Sequence, residues 1–185
     1  MRVISGKAKG TILYSLEGKA TRPTLDRVKE ALFNMIQMEI QDAEVLDLFS
    51  GSGALGIEAL SRGAAKAVIC DKSKEAIKVI EKNLEKTRLK ENAIILNNDY
   101  IKVLESVKEK FKFDFIFLDP PYAGEMVKNA VNKIIELNLL KKDGVIIIET
   151  DEEERILKEL QKINVNVYDL RKYGRVKLIF LNRKE

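Results

Sequence analysis

The chain has no histidine and a single cysteine among its 185 residues, and each shortage closes off a kind of chemistry. Without an imidazole, any proton released in a reaction has to leave through a carboxylate, a backbone acceptor or water. One cysteine and no histidine also speak against a zinc site, so no metal is expected. Cys70 has no partner for an internal disulfide, and its place in the apolar run Ala67-Val68-Ile69-Cys70 reads as a buried, inert thiol. No apolar run approaches the length of a membrane span. The N-terminus carries basic residues without the apolar stretch of a signal peptide, which gives the expectation of a cytoplasmic protein with no membrane attachment.

Net charge is small in total and unevenly arranged. The formal net charge is +4, and residues 1–30 alone hold seven Lys or Arg against three acids, so the rest of the chain sums to zero. A second basic cluster, Arg171, Lys172, Arg175, Lys177, Arg183 and Lys184, closes the sequence. A basic N-terminal arm is the footprint of contact with a phosphate backbone, although a lysine-rich surface that only keeps a protein soluble looks the same by composition. At 185 residues with 45% hydrophobic content, one domain with an ample core is expected, and no internal repeat, low-complexity tract or linker divides it.

Proline is also rare, with only three in the chain, and two of them stand together in the segment Phe115-Ile116-Phe117-Leu118-Asp119-Pro120-Pro121-Tyr122. A short apolar run stopped by a breaker reads as a buried strand, so Asp119 sits where that strand leaves its sheet. Each proline fixes its own φ, Pro121 pushes Pro120 towards an extended conformation, and neither has an N–H. The Asp119 carboxylate and the Pro120 carbonyl would then face outward as acceptors, with Tyr122 as a flat face beside them. That set suits a planar group bearing an NH₂, that is, a nucleobase. A Pro-Pro turn whose tyrosine only rims the core would carry the same letters; the argument against it is a second site upstream.

Val45-Leu46-Asp47-Leu48-Phe49 is another apolar strand, followed by Ser50-Gly51-Ser52-Gly53-Ala54-Leu55-Gly56 and a helical pattern. Glycines there permit a tight turn and let backbone N–H groups approach a ligand at a helix N-terminus. The next strand ends in Asp71, placed to accept from ribose hydroxyls, and Ala93 to Asp99 is a strand ending in an acid suited to an adenine amino group. Taken literally, Gly51-x-Gly53-x-x-Gly56 with Asp71 is a dinucleotide fingerprint. Asp47 argues against a pyrophosphate, because its charge just before the glycine turn would repel one. S-adenosylmethionine, which has an ammonium, a sulfonium and no phosphate, fits an acid at that position. Asp47, Asp71, Asp99 and Asp119 thus end or nearly end four successive strands; acids also cap helices, but open α/β sheets bind ligands at the carboxyl ends of their strands.

These motifs, with Arg2-Val3-Ile4-Ser5-Gly6-Lys7, Lys9-Gly10, the run from Arg22-Pro23-Thr24 to Asn34, and Leu60-Ser61-Arg62-Gly63-Ala64, resemble the small-subunit (16S) ribosomal RNA guanine-N2 methyltransferases over nearly the whole chain. Ala8 and Leu25 depart from the common pattern, which often has a bulky aromatic at the first and a threonine at the second. The resemblance implies a Rossmann-like class I methyltransferase fold, an S-adenosylmethionine cofactor, and ribosomal RNA or the small ribosomal subunit as partner, with the protein acting as a monomer. Transferred onto matching positions, it implies Asp119, Pro120 and Tyr122 as catalytic residues. It implies cofactor contacts from Asp47, Phe49, Gly51, Ser52, Gly53, Asp71, Lys72, Asp99, Tyr100 and Asp119, and RNA contacts from Arg2, Lys7, Lys9, Arg22, Thr24 and Arg27. The glycine loop and the Asp-Pro-Pro-aromatic turn are shared with many amino-directed methyltransferases. A DNA adenine or cytosine amino-methyltransferase therefore stays open, as does a non-catalytic RNA-binding assembly factor; the nicotinamide reading is disfavoured by Asp47.

The periodicities predict an N-terminal β-hairpin from Arg2 to about Leu16 that turns near Gly6 to Gly10, then a helix from about Thr24. Residues 1–23 are expected to form a basic arm for RNA and residues 24–185 the methyltransferase domain. Alternating strands and helices follow to a fifth strand, Val145 to Glu149. Ser73 looks like a helix N-cap, and Val165 to Leu170 and Val176 to Leu181 form two strands too closely joined to be parallel. The expected architecture is a seven-stranded, mostly parallel sheet with one reversed strand.

Overall fold

The computed structural model describes residues 1–16, 23–121 and 123–184. Helices and strands alternate: α1 (Pro23–Met35), β1 (Glu44–Asp47), α2 (Ala54–Ser61), β2 (Lys66–Asp71), α3 (Lys74–Thr87), β3 (Ala93–Asn97), α4 (Tyr100–Val107), β4 (Phe113–Leu118), α5 (Ala123–Glu136), β5 (Leu140–Thr150), α6 (Glu153–Leu160), β6 (Val165–Tyr173) and β7 (Val176–Arg183). The strands form one sheet in the order β3-β2-β1-β4-β5-β7-β6, and only β7 runs against its neighbours. This is the expected seven-stranded class I methyltransferase sheet. The first strand is shorter than the sequence pattern predicts, ending at Asp47, because the chain turns there into the glycine loop.

Period-two alternation distributes the strands between two cores. Val45, Ala67, Ile69, Phe115, Phe117 and Ile147 pack on one face with α1, α2 and α3; Leu46, Val68, Cys70, Ile116, Leu118 and Ile148 pack on the other with α4, α5 and α6. Strands buried on both sides read as continuous apolar runs, and for that reason β2 and β4 stand out in the sequence. Among the described residues no helix is long and apolar enough to cross a membrane.

The predicted N-terminal hairpin is reduced to one bridge, Arg2 to Ile12, around a turn in which Gly6 and Gly10 take positive φ. Its inner residues Val3, Ala8 and Leu13 are buried in the same core as α1 and α2. Ala8 thus faces the protein: its N–H donates to Ser61 Oγ on α2, and the small side chain lets the hairpin lie close. Gly6 is required at the same contact. At φ 83° a Cβ would come within 1.8 Å of the Ser61 carbonyl oxygen.

A buried ionic cluster fastens this junction. Glu58 on α2 is fully buried; its Oε2 accepts the Ile4 N–H at 2.9 Å and lies 3.1 Å from Lys29 Nζ, while Oε1 accepts the Ser5 N–H at 3.1 Å and Arg62 Nε at 2.8 Å. Lys29 also donates to the Arg2 carbonyl at 2.6 Å. Burial lowers the Lys29 pKa, and the adjacent Glu58 charge opposes that fall. Removing one member of such a cluster strands the other charges in a dry site. Glu58→Ala should therefore cost about 3–5 kcal/mol in urea denaturation and speed proteolytic cleavage at Lys7 or Lys9; unchanged stability would contradict the anchoring role.

Candidate active site

The parallel strands bring their carboxyl ends to one edge of the sheet, and a cavity of about 490 Å³ opens there. Asp47, Asp71, Asp99, Asp119 and Glu149 all line it. Ser50, Gly51 and Ser52 of the glycine loop line it between β1 and α2; Gly51 and Gly53 take positive φ of 54° and 79°, and Gly53, expected as a cofactor contact, is buried behind the lining. Gly56 allows the close approach of α2 to β2, since a Cβ there would lie 2.7 Å from Ile69 Cγ1. These three positions match the dinucleotide spacing in geometry, but the electrostatics differ from those of a pyrophosphate site.

Asp47 is almost wholly buried, and its Oδ2 accepts the Gly56 N–H at 2.9 Å. Burial raises its pKa to about 7, opposed by the Gly56 hydrogen bond and reinforced by the charge of Asp119. Asp71 braces the loop from the next strand: Oδ2 accepts the Gly51 N–H at 3.0 Å and Oδ1 the Ser73 N–H at 2.9 Å. Ser73 caps α3 by accepting the Ala76 N–H, as its position in the sequence predicts. Asp99 lies beyond β3, which ends at Asn97, and its Oδ1 accepts the Ile101 N–H as the N-cap of α4. These carboxylates therefore shape the loop that carries them, and each oxygen keeps a second lone pair for a ligand.

Phe49 and Tyr100, with ring centroids 5.2 Å apart, give one end of the cavity an aromatic wall, and Lys72 and Ser52 complete the loop side. Asp119, Pro120 and Pro121, in the turn that follows β4, line the same cavity. Tyr122, Arg22 and the side chain of Thr24 lie outside the described residues. Arg2, Lys7, Lys9 and Arg27 are exposed on the hairpin and α1. Cys70 is buried, donating to the Leu48 carbonyl at 3.0 Å; burial, with the charges of Asp47 and Asp71, pushes its pKa well up and makes it inert.

Six residues that build the site carry no clear signal in the sequence. Lys29 reaches the cavity from α1, and its pattern position between the apolar Val28 and Leu32 was the available signal. Asn83 on α3 is fully buried and donates to the Ser52 carbonyl at 2.9 Å and the Tyr14 carbonyl at 3.0 Å, tying the loop to the hairpin. Met1, Ser15 and Leu16 of the hairpin wall the cavity as well. Glu149 ends an apolar run in an acid just as Asp119 does, yet only its strand was predicted.

A model of the family described as Conserved hypothetical protein 95 matches residues 1–182. The chain is 36% identical to Ribosomal RNA small subunit methyltransferase D of Haemophilus influenzae, over 85% of this chain and 82% of that protein. It is 34% identical to the protein of the same name in Escherichia coli, over 83% and 76%. The solved structure named "Putative methyltransferase yhhF from Escherichia coli" matches with a TM-score of 0.82 at 26% identity, covering 100% of this chain and 98% of that one.

Asp47 yields a stability test. An acid with a folded-state pKa above its unfolded value holds more proton when folded, so stability is lost as pH rises from about 4 towards 7. Asp47→Asn keeps an acceptor for Gly56 and removes that cost. It should flatten the decline in melting temperature across this window and stabilise the ligand-free protein near neutral pH by on the order of a few kcal/mol. A variant as steeply pH-dependent as the parent would refute the assignment.

Proposed function

The chain belongs to the Conserved hypothetical protein 95 family, and from that premise we propose that it transfers a methyl group from S-adenosylmethionine to the exocyclic 2-amino group of a guanine in small-subunit (16S) ribosomal RNA. The observation that carries the reading is the meeting of the Asp119-Pro120 turn with the glycine loop in one acidic cavity. The donor set fits the cofactor: Asp47 at the base of the loop suits an ammonium and opposes a pyrophosphate, Asp71 suits ribose, and Asp99 with the Phe49 and Tyr100 rings suits adenine. When bound, S-adenosylmethionine supplies an electrophilic methyl on a sulfonium and needs no metal.

The protein's part is then to orient an amine and to take its proton. An exocyclic amine is a weak nucleophile because its lone pair is delocalised into the ring. Acceptance of its two N–H groups by Asp119 and the Pro120 carbonyl favours a pyramidal nitrogen with the lone pair directed at the methyl. With no histidine in the chain, a carboxylate or water must carry the proton away. The base has to leave any stack to reach the cavity, which favours a loop or bulge in the RNA, and Tyr122 would stack on it. We assign residues 1–23 to RNA contact and 24–185 to methyl transfer, with the enzyme working as a monomer in the cytoplasm.

Mass spectrometry of nucleosides from small-subunit RNA treated with the protein and S-adenosylmethionine should reveal N2-methylguanosine; methylated adenine or cytosine, or no product, would reject the reading. Asp119→Ala should lower turnover by at least about 100-fold with cofactor affinity held within a few-fold. Near-full turnover would remove Asp119 from the target-base site.

Neutralising the exposed Lys7 and Lys9 together should flatten the log–log salt dependence of RNA binding by about 1 to 2 units, because each phosphate contact releases condensed counterion. A double variant with the parent's slope would place the RNA elsewhere, and the basic turn between β6 and β7 would be next to test.

A further inference from the structure

Beside the Asp119 turn stands a carboxylate for which the chemistry above has no use. Glu149 is the penultimate residue of β5. In the parallel pairing of β4 with β5, Leu118 lies beside Ile148, so Asp119 and Glu149 are the next residues along two neighbouring strands. Both line the cavity. Glu149 is half-buried while Asp119 is exposed at the cavity, and two adjacent acids, one of them short of water, repel each other; a ligand that relieves the cost offers hydrogen-bond donors to both.

Guanine offers them along one edge. Its 2-amino group is flanked by N1, which bears a proton, whereas the amines of adenine and cytosine are flanked by bare ring nitrogens that are acceptors. We propose that Glu149 is a specificity-determining residue, its carboxylate accepting the N1–H of the target guanine while Asp119 and the Pro120 carbonyl hold the neighbouring 2-amino group. The assignment rests on the reading of this cavity as a guanine-N2 methyltransferase site. An adenine or cytosine amine set against Asp119 would turn an acceptor towards Glu149, and a half-buried carboxylate facing a lone pair is a reason for rejection.

The electrostatics agree with this geometry. Burial and then the charge of Asp119 hold the Glu149 pKa well above the ordinary carboxylate range, so the site without a base retains a proton. Arrival of two N–H donors favours the ionised form and releases it. Among the described residues the other charged groups lining the cavity are the N-terminal residue Met1, Lys29 from α1, Asp47 and Asp71 at the ends of β1 and β2, Lys72 just after β2, and Asp99 before α4. Lys29 is committed to Glu58, and Asp71 and Asp99 to loop N–H groups.

The test uses 2-aminopurine, which keeps the 2-amino group and lacks the N1 proton. Small-subunit RNA is ligated to carry either guanosine or 2-aminopurine at the nucleotide mapped by mass spectrometry. The parent enzyme should prefer guanosine in kcat/KM by on the order of 100-fold. Glu149→Gln should bring the two substrates within about 10-fold of each other, because a side-chain amide can turn its N–H towards the bare N1. Its affinity for S-adenosylhomocysteine should match the parent's. A parent enzyme that uses both substrates equally, or a Glu149→Gln variant that binds S-adenosylhomocysteine normally and keeps the parent's preference, overturns the role of Glu149. If the variant loses that binding, the parent's preference decides alone. Failure to form N2-methylguanosine in the parent's guanosine RNA would instead sink the underlying reading of the site.

Discussion

The walls of the cavity depend on one buried carboxylate. Glu58 takes two backbone N–H groups from the hairpin, the ammonium of Lys29 and the guanidinium of Arg62. A carboxylate without exposure costs several kcal/mol unless donors replace its water, and here four do so from three separate elements. Apolar side chains could fill the same volume. They could not receive the Ile4 and Ser5 N–H groups, which would then be buried without partners. The cluster thus fixes where the hairpin lies, and with it Met1, Ser15 and Leu16 on the cavity wall.

The sheet imposes the second constraint. Parallel strands send every carboxyl end to one edge, so acids that are dispersed through the sequence gather there. Desolvation and mutual repulsion make that gathering unfavourable, and both push the Asp47 and Glu149 carboxyls above the usual carboxylate range. Part of the cost is recovered within the fold: Asp47 holds Gly56 at the start of α2, and Asp71 holds the glycine loop and the approach to α3. The remainder is left for a ligand that brings cations or N–H donors. Ligand affinity and ligand-free instability share one cause at this edge.

The strands were the most legible part of the sequence, because burial on both faces turns each into an apolar run and the acid at its end marks the exit from the sheet. The Ser73 cap and the antiparallel β6–β7 pair followed from equally local rules. Asp99 misled in detail, since an acid two residues beyond a strand can be a helix cap and a site residue together. Glu58 and Asn83 were not legible. Each looks like an ordinary polar residue of a helix, and only the return of the hairpin across α2 and α3, 50 or more residues away in sequence, shows which donors and acceptors they meet. Ala8 illustrates the same limit, because whether position 8 faces RNA or protein depends on that docking.

Charge of opposite sign is separated in space, and the separation bears on how a polyanion could use an acidic cavity. The charged groups of the lining are mostly carboxylates, while Arg2, Lys7, Lys9 and Arg27 are exposed on the hairpin and α1, elements that also contribute Met1 and Lys29 to the wall. A phosphate entering the cavity would be repelled at contact distances by several kcal/mol at intermediate dielectric, whereas on the basic surface it would be attracted over roughly a Debye length. The backbone of an RNA would therefore be held outside and only an uncharged base admitted. The same field would exclude a pyrophosphate and admit a cationic cofactor, so a single arrangement of charge would suit both an uncharged base and a cation. The hairpin that carries these cations is fixed by Glu58 to the helix that opens from the glycine loop, so the spacing between the basic surface and the acidic cavity is set by the fold rather than by a hinge.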